Sequence, residues 1–349
     1  MTETRLLFSE VGWRTTVQDL GRTATERLGV PRGGAADQGA ARTANILVGN
    51  PQGAPLIESL GGAVEFAAST DVLVSATGSV GNVEMDGCRV EGRQPLALPA
   101  GATFRVETAE SAARSYIAIG GLIETRRFLG SAAPDPRMGF AQALTAGASL
   151  DLRTAVTTIR QPHLGRALFR LPVPTPASED HDWVVEIVDC AETDDVPGIR
   201  ELLAESTYTV NNRSDHVGIR LDGPVLHPSH VGEILSHGVP IGAIEIPHSD
   251  ELIVLGRYRT LTAGYPIVGF ATRRSQDLVG QVRPGRALQF RWVDRAVGRA
   301  RALSFEADLA VLQAAAMSAF ASLELPVAAT RSLHSLGSNA TVVSYENAI

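Results

Sequence analysis

The sequence contains no lysine, and its 31 basic residues are outnumbered by 38 acidic ones, which gives a formal net charge of −7. Nucleic acids are bound through basic patches, so this balance argues against a nucleic-acid surface. No stretch approaches about 18 apolar residues, which argues against a membrane span. The first residues also lack a basic segment followed by an apolar one. We therefore expect a cytoplasmic protein.

Cysteine is scarce as well, with Cys88 and Cys190 alone in the sequence. Neither belongs to a CxxC pair or lies near a histidine at ligand spacing, so neither a zinc site nor a disulfide framework is predicted. The second half contains His216, His237 and His248, and a free imidazole titrates near neutrality. The sequence has no HxxxH or HExxH spacing, so we expect no metal site.

Glycine (34) and proline (19) are frequent and separate short apolar runs. The segments LPAGATFRVE (98–107), LTAGASLDLR (144–153) and VRPGRALQFR (282–291) each place a glycine turn before an alternating strand. Many short strands with frequent turns are typical of barrels or sandwiches, and the recurrence in both halves predicts two similar barrels. The predicted domains are a barrel over 1–160, a second barrel over 180–296, and a helix with a polar tail over 304–349. A linker rich in proline, serine and acid is predicted over 160–182.

Two helices are predicted. Small and apolar residues over 40–48 fall on one face, with Asp37 as a candidate N-cap and Gly49 as a stop. A second apolar stripe predicts a packing helix over 304–325, closed by Pro326.

The segment TTVQDLGRTATERLGVPRGGAADQGAARTANILVGNP (15–51) is more specific than a generic strand, turn and helix. Arg32 precedes Gly33-Gly34 near the predicted helix start, where backbone N–H groups could approach an anion; a surface turn is the alternative interpretation. Neither GxxxxGK[ST] nor a strand-GxGxxG-helix pattern is present, which excludes P-loop and Rossmann sites.

The motifs TVQDLGR, GVPRGGAAD, ARTANILVGNP and LIESLGG are followed in the second half by SDHVGIRLDGP, ILSHGVPIGAIEIP, RTLTAGYPIVG and QVRPG. Together they resemble the family of the 5-oxoprolinase C subunit, also called KipA, allophanate hydrolase subunit 2, or the C and D subdomains of biotin-dependent carboxyltransferases. The resemblance covers roughly residues 5–295. It implies a mainly β fold of two cyclophilin-like β-barrel domains, to which the patterns above add a few short helices and a C-terminal helix.

The resemblance also implies an enzyme subunit that is inactive alone and docks with two partners. These are a KipI-like subunit 1, which is the B subunit of 5-oxoprolinase, and a LamB/YcsF-type protein, which is its A subunit. Such complexes open 5-oxo-L-proline to L-glutamate at the expense of ATP, with or without Mg²⁺.

Two alternatives stay open. One is a carboxyltransferase component with biotin on a separate carrier, because this chain has no biotin-acceptor lysine motif. The other is a non-catalytic KipA-like regulatory scaffold.

The resemblance marks site residues in both halves. The predicted catalytic residues are Gln18, Asp19, Arg22, Arg32 and Asp37. The residues predicted to bind substrate or nucleotide are Gly33, Asn45, Asn50, Glu58, Asp215, Arg220, Glu245, Arg259, Thr262 and Tyr265. Guanidinium groups suit phosphate and carboxylate, and amides both donate and accept hydrogen bonds. Structural alternatives are a polar turn at 18–22, a helix cap at Asp37, and satisfied backbone groups around Asn45 and Asn50.

Two pairings are further hypotheses. The carboxylate of Glu58 lies in an otherwise apolar segment and needs a partner, which we expect to be Arg22 or Arg32. Asp215 and Arg220 either form an ion pair or line a cleft. Because neither half alone carries a complete constellation, we expect the cleft at a subunit junction.

Several positions depart from the family pattern. Where the family has SDRMGIRL, this chain has His216 and Val217 in place of the Arg and Met. Where the family has GAIQVP, it has Glu245 in place of the amide, and where the family has DRQTTGGYP, it has Tyr258 and Thr260 in place of the acid and the glutamine. The family's LGSRST is LGSAAP (129–134) in this chain. An ionised glutamate only accepts hydrogen bonds, whereas an amide also donates. Either the substrate differs from that of the family, or the site has decayed and the chain is a structural paralogue.

Overall fold

The structure is a computed structural model that describes residues 2–140, 143–154, 165–174, 183–225, 234–247 and 251–326. His248, most of the predicted linker and the predicted tail beyond Pro326 lie outside these residues.

The first half of the chain is built from short strands. Those described are β1 (Thr2–Glu10), β2 (Arg14–Gln18), β3 (Leu56–Leu60), β4 (Ala63–Ala68), β5 (Val72–Gly78), β6 (Val80–Met85), β7 (Cys88–Arg89), β8 (Leu96–Leu98), β9 (Thr103–Thr108), β10 (Arg114–Ile119), β11 (Leu122–Ile123) and β12 (Ser149–Thr154). They form a seven-stranded sheet in the order β11-β12-β1-β4-β9-β6-β7 and a five-stranded sheet in the order β2-β3-β10-β5-β8.

Alternating apolar side chains from both sheets meet in one core. Phe66 lies at its centre, with ring centroids 5.6 Å from Phe8 and 5.8 Å from Phe104. The two sheets enclose this core as a barrel would. Among the described strands, however, hydrogen bonding does not run from one sheet to the other in a closed ring, which differs from the barrel predicted for this half.

The second half is a closed barrel with strand order β13-β20-β17-β18-β15-β14-β21, beside a small β16-β19 sheet. Its strands are β13 (Val184–Val188), β14 (Thr207–Val210), β15 (Gly218–Asp222), β16 (His237–Gly238), β17 (Ala243–Glu245), β18 (Leu252–Leu255), β19 (Thr262–Ala263), β20 (Ile267–Ala271) and β21 (Ala287–Trp292). The predicted glycine turns are confirmed in both halves. Gly101, Gly147 and Gly285 have φ of 80°, 83° and 80°, a conformation that glycine adopts at little cost.

The helices are α1 (Gln38–Leu47), α2 (Ile199–Glu205), α3 (Arg273–Val279) and α4 (Arg295–Ser322). Short 3₁₀ turns occur at Glu26–Leu28, Pro136–Met138 and Thr193–Asp195. The predicted cap of α1 is confirmed, since the Asp37 carboxylate accepts from the Ala40 N–H at 2.9 Å. The second predicted helix exists as α4, but it begins at Arg295 and not at 304. Gly298 in its first turn lies close to Thr272, where a Cβ would be 3.0 Å from the Thr272 Cγ2.

Helix α4 packs as predicted, with Leu309, Leu312, Ala316 and Phe320 buried against α1 and its neighbours. By length and composition alone it could also cross a membrane, since an 18-residue window has a mean hydropathy of 1.2. The sequence prediction considered uninterrupted apolar runs only and therefore missed this property. The buried stripe favours the packing role.

The two halves are joined by buried polar contacts. The Gln281 side chain, which is fully buried, donates to Asp37 at 2.9 Å and accepts from the Arg114 N–H at 2.9 Å. Asp277 on α3 accepts from the Gln38 N–H at the start of α1. The predicted mainly β fold with a C-terminal helix is confirmed, and the exact domain limits stay a prediction.

Candidate functional site

A cavity of about 450 Å³ lies between the two halves of the chain. Its walls come from β2, β3 and the Gly33-Gly34 turn of the first half, and from β15, β18, α3 and the segments that follow β18 and α3 in the second. This volume lies within the range of small-molecule sites, which are often formed at domain interfaces.

Four of the predicted site residues line this cavity. They are Gln18, Gly33, Glu58 and Asp215. The substituted positions His216 and Tyr258 line it too. The cavity therefore collects parts of six of the eight sequence motifs.

Gln18, at the end of β2, presents an amide to the cavity. Its Nε2 donates to the Thr16 hydroxyl at 3.1 Å. Its Oε1 is buried and has no hydrogen-bond partner in the structure. An unsatisfied buried acceptor costs free energy, so Gln18 is suited to receive a donor from a ligand.

Glu58 is paired, but with a different arginine from the two expected. Its Oε1 lies 3.8 Å from the Arg114 Nε, and its Oε2 accepts from the Ala36 N–H at 3.0 Å. The predicted pairing with Arg22 or Arg32 is therefore wrong. Strand β10 lies beside β3, with Tyr116 opposite Glu58, and this pairing brings the Arg114 side chain close to the carboxylate.

Of the two alternatives for Asp215 and Arg220, the ion pair is not formed. Arg220 pairs with Glu251, which lies directly before β18, the strand next to β15. Asp215 instead caps the turn before β15, where it accepts from the Val217 N–H at 2.8 Å. Of these two residues, only Asp215 lines the cavity.

Asp19 and Arg22 lie behind the cavity wall and hold the loop after β11. Asp19 accepts from the Ser131 hydroxyl at 2.5 Å and from the Ala132 N–H at 2.8 Å. The guanidinium of Arg22 donates to the Ala133 carbonyl, and its Nη1 is buried without a partner. Burial lowers the pKa of Arg22. Both contacts support this loop in the region of the altered LGSAAP motif.

At the start of α1, where the sequence suggested an anion site, carboxylates of the chain itself accept hydrogen bonds from the backbone N–H groups. Glu58 accepts from Ala36, Asp277 from Gln38 and Asp37 from Ala40. Because these N–H groups are satisfied, an external anion would have to displace a protein carboxylate there.

The Gly33-Gly34 turn serves close packing. A Cβ on Gly34 would lie 2.5 Å from the Gly21 nitrogen, and both glycines have positive φ. The Gly33 N–H donates to the carbonyl of Arg257 at 3.0 Å. The neighbouring Arg32 has a buried Nε without a partner.

Asp37, Asn45 and Asn50 are buried away from the cavity. Burial, followed by the nearby Asp277 carboxylate, raises the pKa of Asp37 to about 7. Asn45 donates to the Ala54 carbonyl at 2.9 Å, and Asn50 donates to the Ile119 carbonyl at 2.8 Å. These contacts match the structural alternatives considered for all three residues.

The remaining predicted residues of the second half lie outside the cavity wall. They are Glu245, Arg259, Thr262 and Tyr265, together with Arg220. Arg259 is buried and pairs with Glu26 at 3.3 Å. Glu245 is 3% exposed, its Oε1 has no hydrogen-bond partner in the structure, and burial raises its pKa to about 7.

His216 and Tyr258 are in contact, with ring centroids 4.9 Å apart. The Tyr258 hydroxyl donates to Asp135, and burial raises the pKa of Tyr258 to about 12. Burial lowers the pKa of His216, and the charges of Arg14, Arg137 and Arg114 lower it further against the opposing effect of Asp215. A neutral aromatic pair therefore forms this part of the cavity wall.

Sequence reasoning missed several residues that line the cavity. They are Trp13, Arg14, Arg114, Arg257 and Arg283. Arg257 directly precedes a recognised motif and Arg283 lies inside QVRPG, so proximity to these motifs was the available signal. Within the described part of the chain, no group of three or more His, Cys, Asp or Glu side chains is arranged to hold a metal ion.

Comparison with known proteins places the chain in a family. The family model described as carboxyltransferase domain, subdomain A and B, matches residues 28–292. The C subunit of 5-oxoprolinase from Escherichia coli (strain K12) is 28% identical over 294 residues, covering 80% of this chain and 88% of that protein. The urea amidolyase of Lachancea kluyveri is 26% identical over 332 residues, covering 86% of this chain and 18% of that protein.

The solved urea amidolyase of K. lactis has the same fold, with a TM-score of 0.76 at 22% identity over 88% of this chain and 20% of that one. The predicted family is confirmed. The matching family model describes subdomains A and B, whereas we expected subdomains C and D. Since the matched region spans both halves and most of the cavity wall, the chain belongs to the carboxyltransferase domain, subdomain A and B, family.

Proposed function

We propose that this chain is a subunit of a hetero-oligomeric, ATP-dependent 5-oxoprolinase or a closely related amide hydrolase, and that it is not active alone. One observation carries the proposal: the cavity between the halves brings together Gln18, Gly33, Glu58 and Asp215, which the family resemblance had marked in separate motifs. The relative named as the C subunit of 5-oxoprolinase supports the same assignment.

The chemistry of the cavity fits a small anionic amide. The ring amide of 5-oxo-L-proline offers an N–H donor, and Gln18 presents a buried acceptor without a partner. The carboxylate of 5-oxo-L-proline needs cationic donors, and Arg14, Arg257 and Arg283 line the cavity. In the proposed reaction, 5-oxo-L-proline, ATP and water give L-glutamate, ADP and phosphate.

The partners follow from the same proposal. We expect a KipI-like subunit 1 (the B subunit of 5-oxoprolinase) and a LamB/YcsF-type protein (its A subunit) to complete the enzyme in the cytoplasm. ATP is the proposed co-substrate, with or without Mg²⁺, and the arginines of the cavity suit the oxygens of its phosphates.

The test is reconstitution with these two partner chains, followed by measurement of ADP release with and without 5-oxo-L-proline. We expect release to depend on 5-oxo-L-proline and to fall at least tenfold with Gln18→Ala. The exposed Gln289→Ala serves as the matched control and should leave the rate unchanged. An ADP-release rate that is the same with and without 5-oxo-L-proline would refute the proposal. A stable complex without turnover would favour the regulatory scaffold.

A carboxyltransferase component is the second candidate, favoured by the family description and by the urea amidolyase relative. Because the sequence has no lysine, biotin would have to be carried by another chain. Transfer of labelled carboxylate from a biotinylated carrier to urea, dependent on this chain, would establish this function.

A further inference from the structure

We infer that the cavity binds an oxyanion group of its ligand, a phosphate or a carboxylate, through the guanidinium of Arg257. The inference rests on the proposed function in taking this cavity as the ligand site. It deepens that function by assigning the anion contact to one of the cavity arginines, Arg257, which no recognised motif includes.

Arg257 is held at the junction of the two halves. It follows β18, and its Nε donates to the Gly33 carbonyl at 3.0 Å while its Nη2 approaches the Leu20 carbonyl at 3.4 Å. The Gly33 N–H returns a hydrogen bond to the Arg257 carbonyl at 3.0 Å. The bonds to the Gly33 and Leu20 carbonyls orient the guanidinium before a ligand binds, and the bond from the Gly33 N–H fixes the Arg257 backbone. The other N–H groups of the guanidinium are left for a ligand.

The positive charge of Arg257 has no carboxylate partner among the described residues. Asp277 is the nearby acid, and it is engaged by Arg273 at 2.9 Å and by Arg274 at 2.7 Å. Arg32, also close to Arg257, has a buried Nε without a partner. The local excess of guanidinium groups therefore needs a counter-charge.

The pKa of Arg257 reflects this environment. Burial, then the charges of Arg273 and Arg32, lower it to about 9, against the smaller opposing effect of Asp277. A charge that is taken out of water without a partner is costly, and an anion in contact with it would recover part of that cost. A charged group that is destabilised by burial and faces a cavity is a candidate binding position.

The rest of the cavity wall fits the same ligand class. Arg14 and Arg283 also line it and form no ion pair within the described part of the chain, although acids outnumber bases in the sequence. The wall also carries the apolar side chains of Ile219, Val254 and Val282. Its two carboxylates already have partners, since Glu58 lies beside Arg114 and Asp215 accepts from the Val217 N–H. A small molecule with a compact apolar body and at least one oxyanion matches this arrangement.

The experiment measures anion binding to the purified full-length chain by isothermal titration calorimetry at constant ionic strength. The probes are sulfate, inorganic phosphate and glutarate. The variants are Arg257→Met, Arg257→Lys and the exposed control Arg89→Met, which removes one charge far from the cavity wall. Arg14→Met is the second site variant, in case Arg257→Met fails to fold. Circular dichroism checks the fold of each variant.

We expect the wild type and Arg89→Met to bind alike. Affinity should fall at least tenfold with Arg257→Met and less with Arg257→Lys, which keeps the charge but loses the planar fork. Stronger binding of phosphate or of glutarate would identify which oxyanion the ligand carries.

Equal affinity of wild type and folded Arg257→Met for every probe, or no binding to the wild type, would overturn the inference. The proposed function fails separately. If sulfate binding requires Arg257 but the reconstituted complex does not turn over 5-oxo-L-proline, the anion site stands and the reaction assignment falls.

Discussion

Glu245→Gln should stabilise the protein more at high pH than at low pH. Glu245 is buried in β17, and burial raises its pKa from 4.5 to about 7. The folded state therefore holds this proton more tightly than the unfolded state does. Below pH 4.5 the residue adds no electrostatic cost; the cost grows as the pH rises towards 7 and is complete above it.

The magnitude follows from the shift. With pKa values of 4.5 unfolded and about 7 folded, the free energy of unfolding contributed by this group should fall by about 2.5 kcal/mol between pH 5 and pH 8. Glutamine does not titrate, so the variant loses this dependence. Any constant difference in hydrogen bonding between the two side chains cancels in the comparison of the two pH values.

Urea unfolding at pH 5 and pH 8 measures this difference, with Glu201→Gln on the exposed face of α2 as the control. The wild-type protein should lose stability relative to Glu245→Gln as the pH rises, whereas the control should track the wild type. The reasoning is refuted if Glu245→Gln and Glu201→Gln show the same pH dependence.

Three further predictions concern the junction, α4 and the cavity wall. Gln281→Ala should lower the free energy of unfolding by about 2–4 kcal/mol, measured in urea, because it strands a buried donor and a buried acceptor. Phe320→Ala should cost about 3–5 kcal/mol, whereas Val311→Ala, 65% exposed on the same helix, should cost below about 0.5 kcal/mol. A double-mutant cycle of His216→Arg and Tyr258→Asp should give a favourable coupling energy of about 1 kcal/mol or more, and zero coupling would contradict the contact.

Local patterns predicted the secondary structure well because their causes are local. Asp37 caps α1 as the sequence indicated, and the glycine turns near Gly101 and Gly285 occur where alternation of apolar residues begins. The short strands and glycine turns indicated barrels or sandwiches, whereas the strand order could not be predicted, since it depends on pairings between distant segments. For the same reason, the sequence did not predict that the two described sheets of the first half are not joined into a closed ring.

The site was predicted less completely, because its contacts join residues that are far apart in the chain. Glu58 lies beside Arg114 because β3 pairs with β10, and no spacing in the sequence predicts that pairing. Arg257 meets Gly33 across the junction of the halves. Sequence alone identified the Gly33 side of this contact and missed the arginine, since Arg257 stands just before the motif that carries the resemblance.

The contact between His216 and Tyr258 bears on whether the altered motifs reflect decay. The family pattern has an arginine at the first of these positions and an acid at the second, and in this structure the two side chains touch. An arginine and an acid in contact at these positions would have opposite charges, so replacing both by a neutral aromatic pair preserves the local charge balance. Loss of only one member would leave the other charge buried without its partner, which is costly. The paired change therefore preserves the stability of this part of the cavity wall.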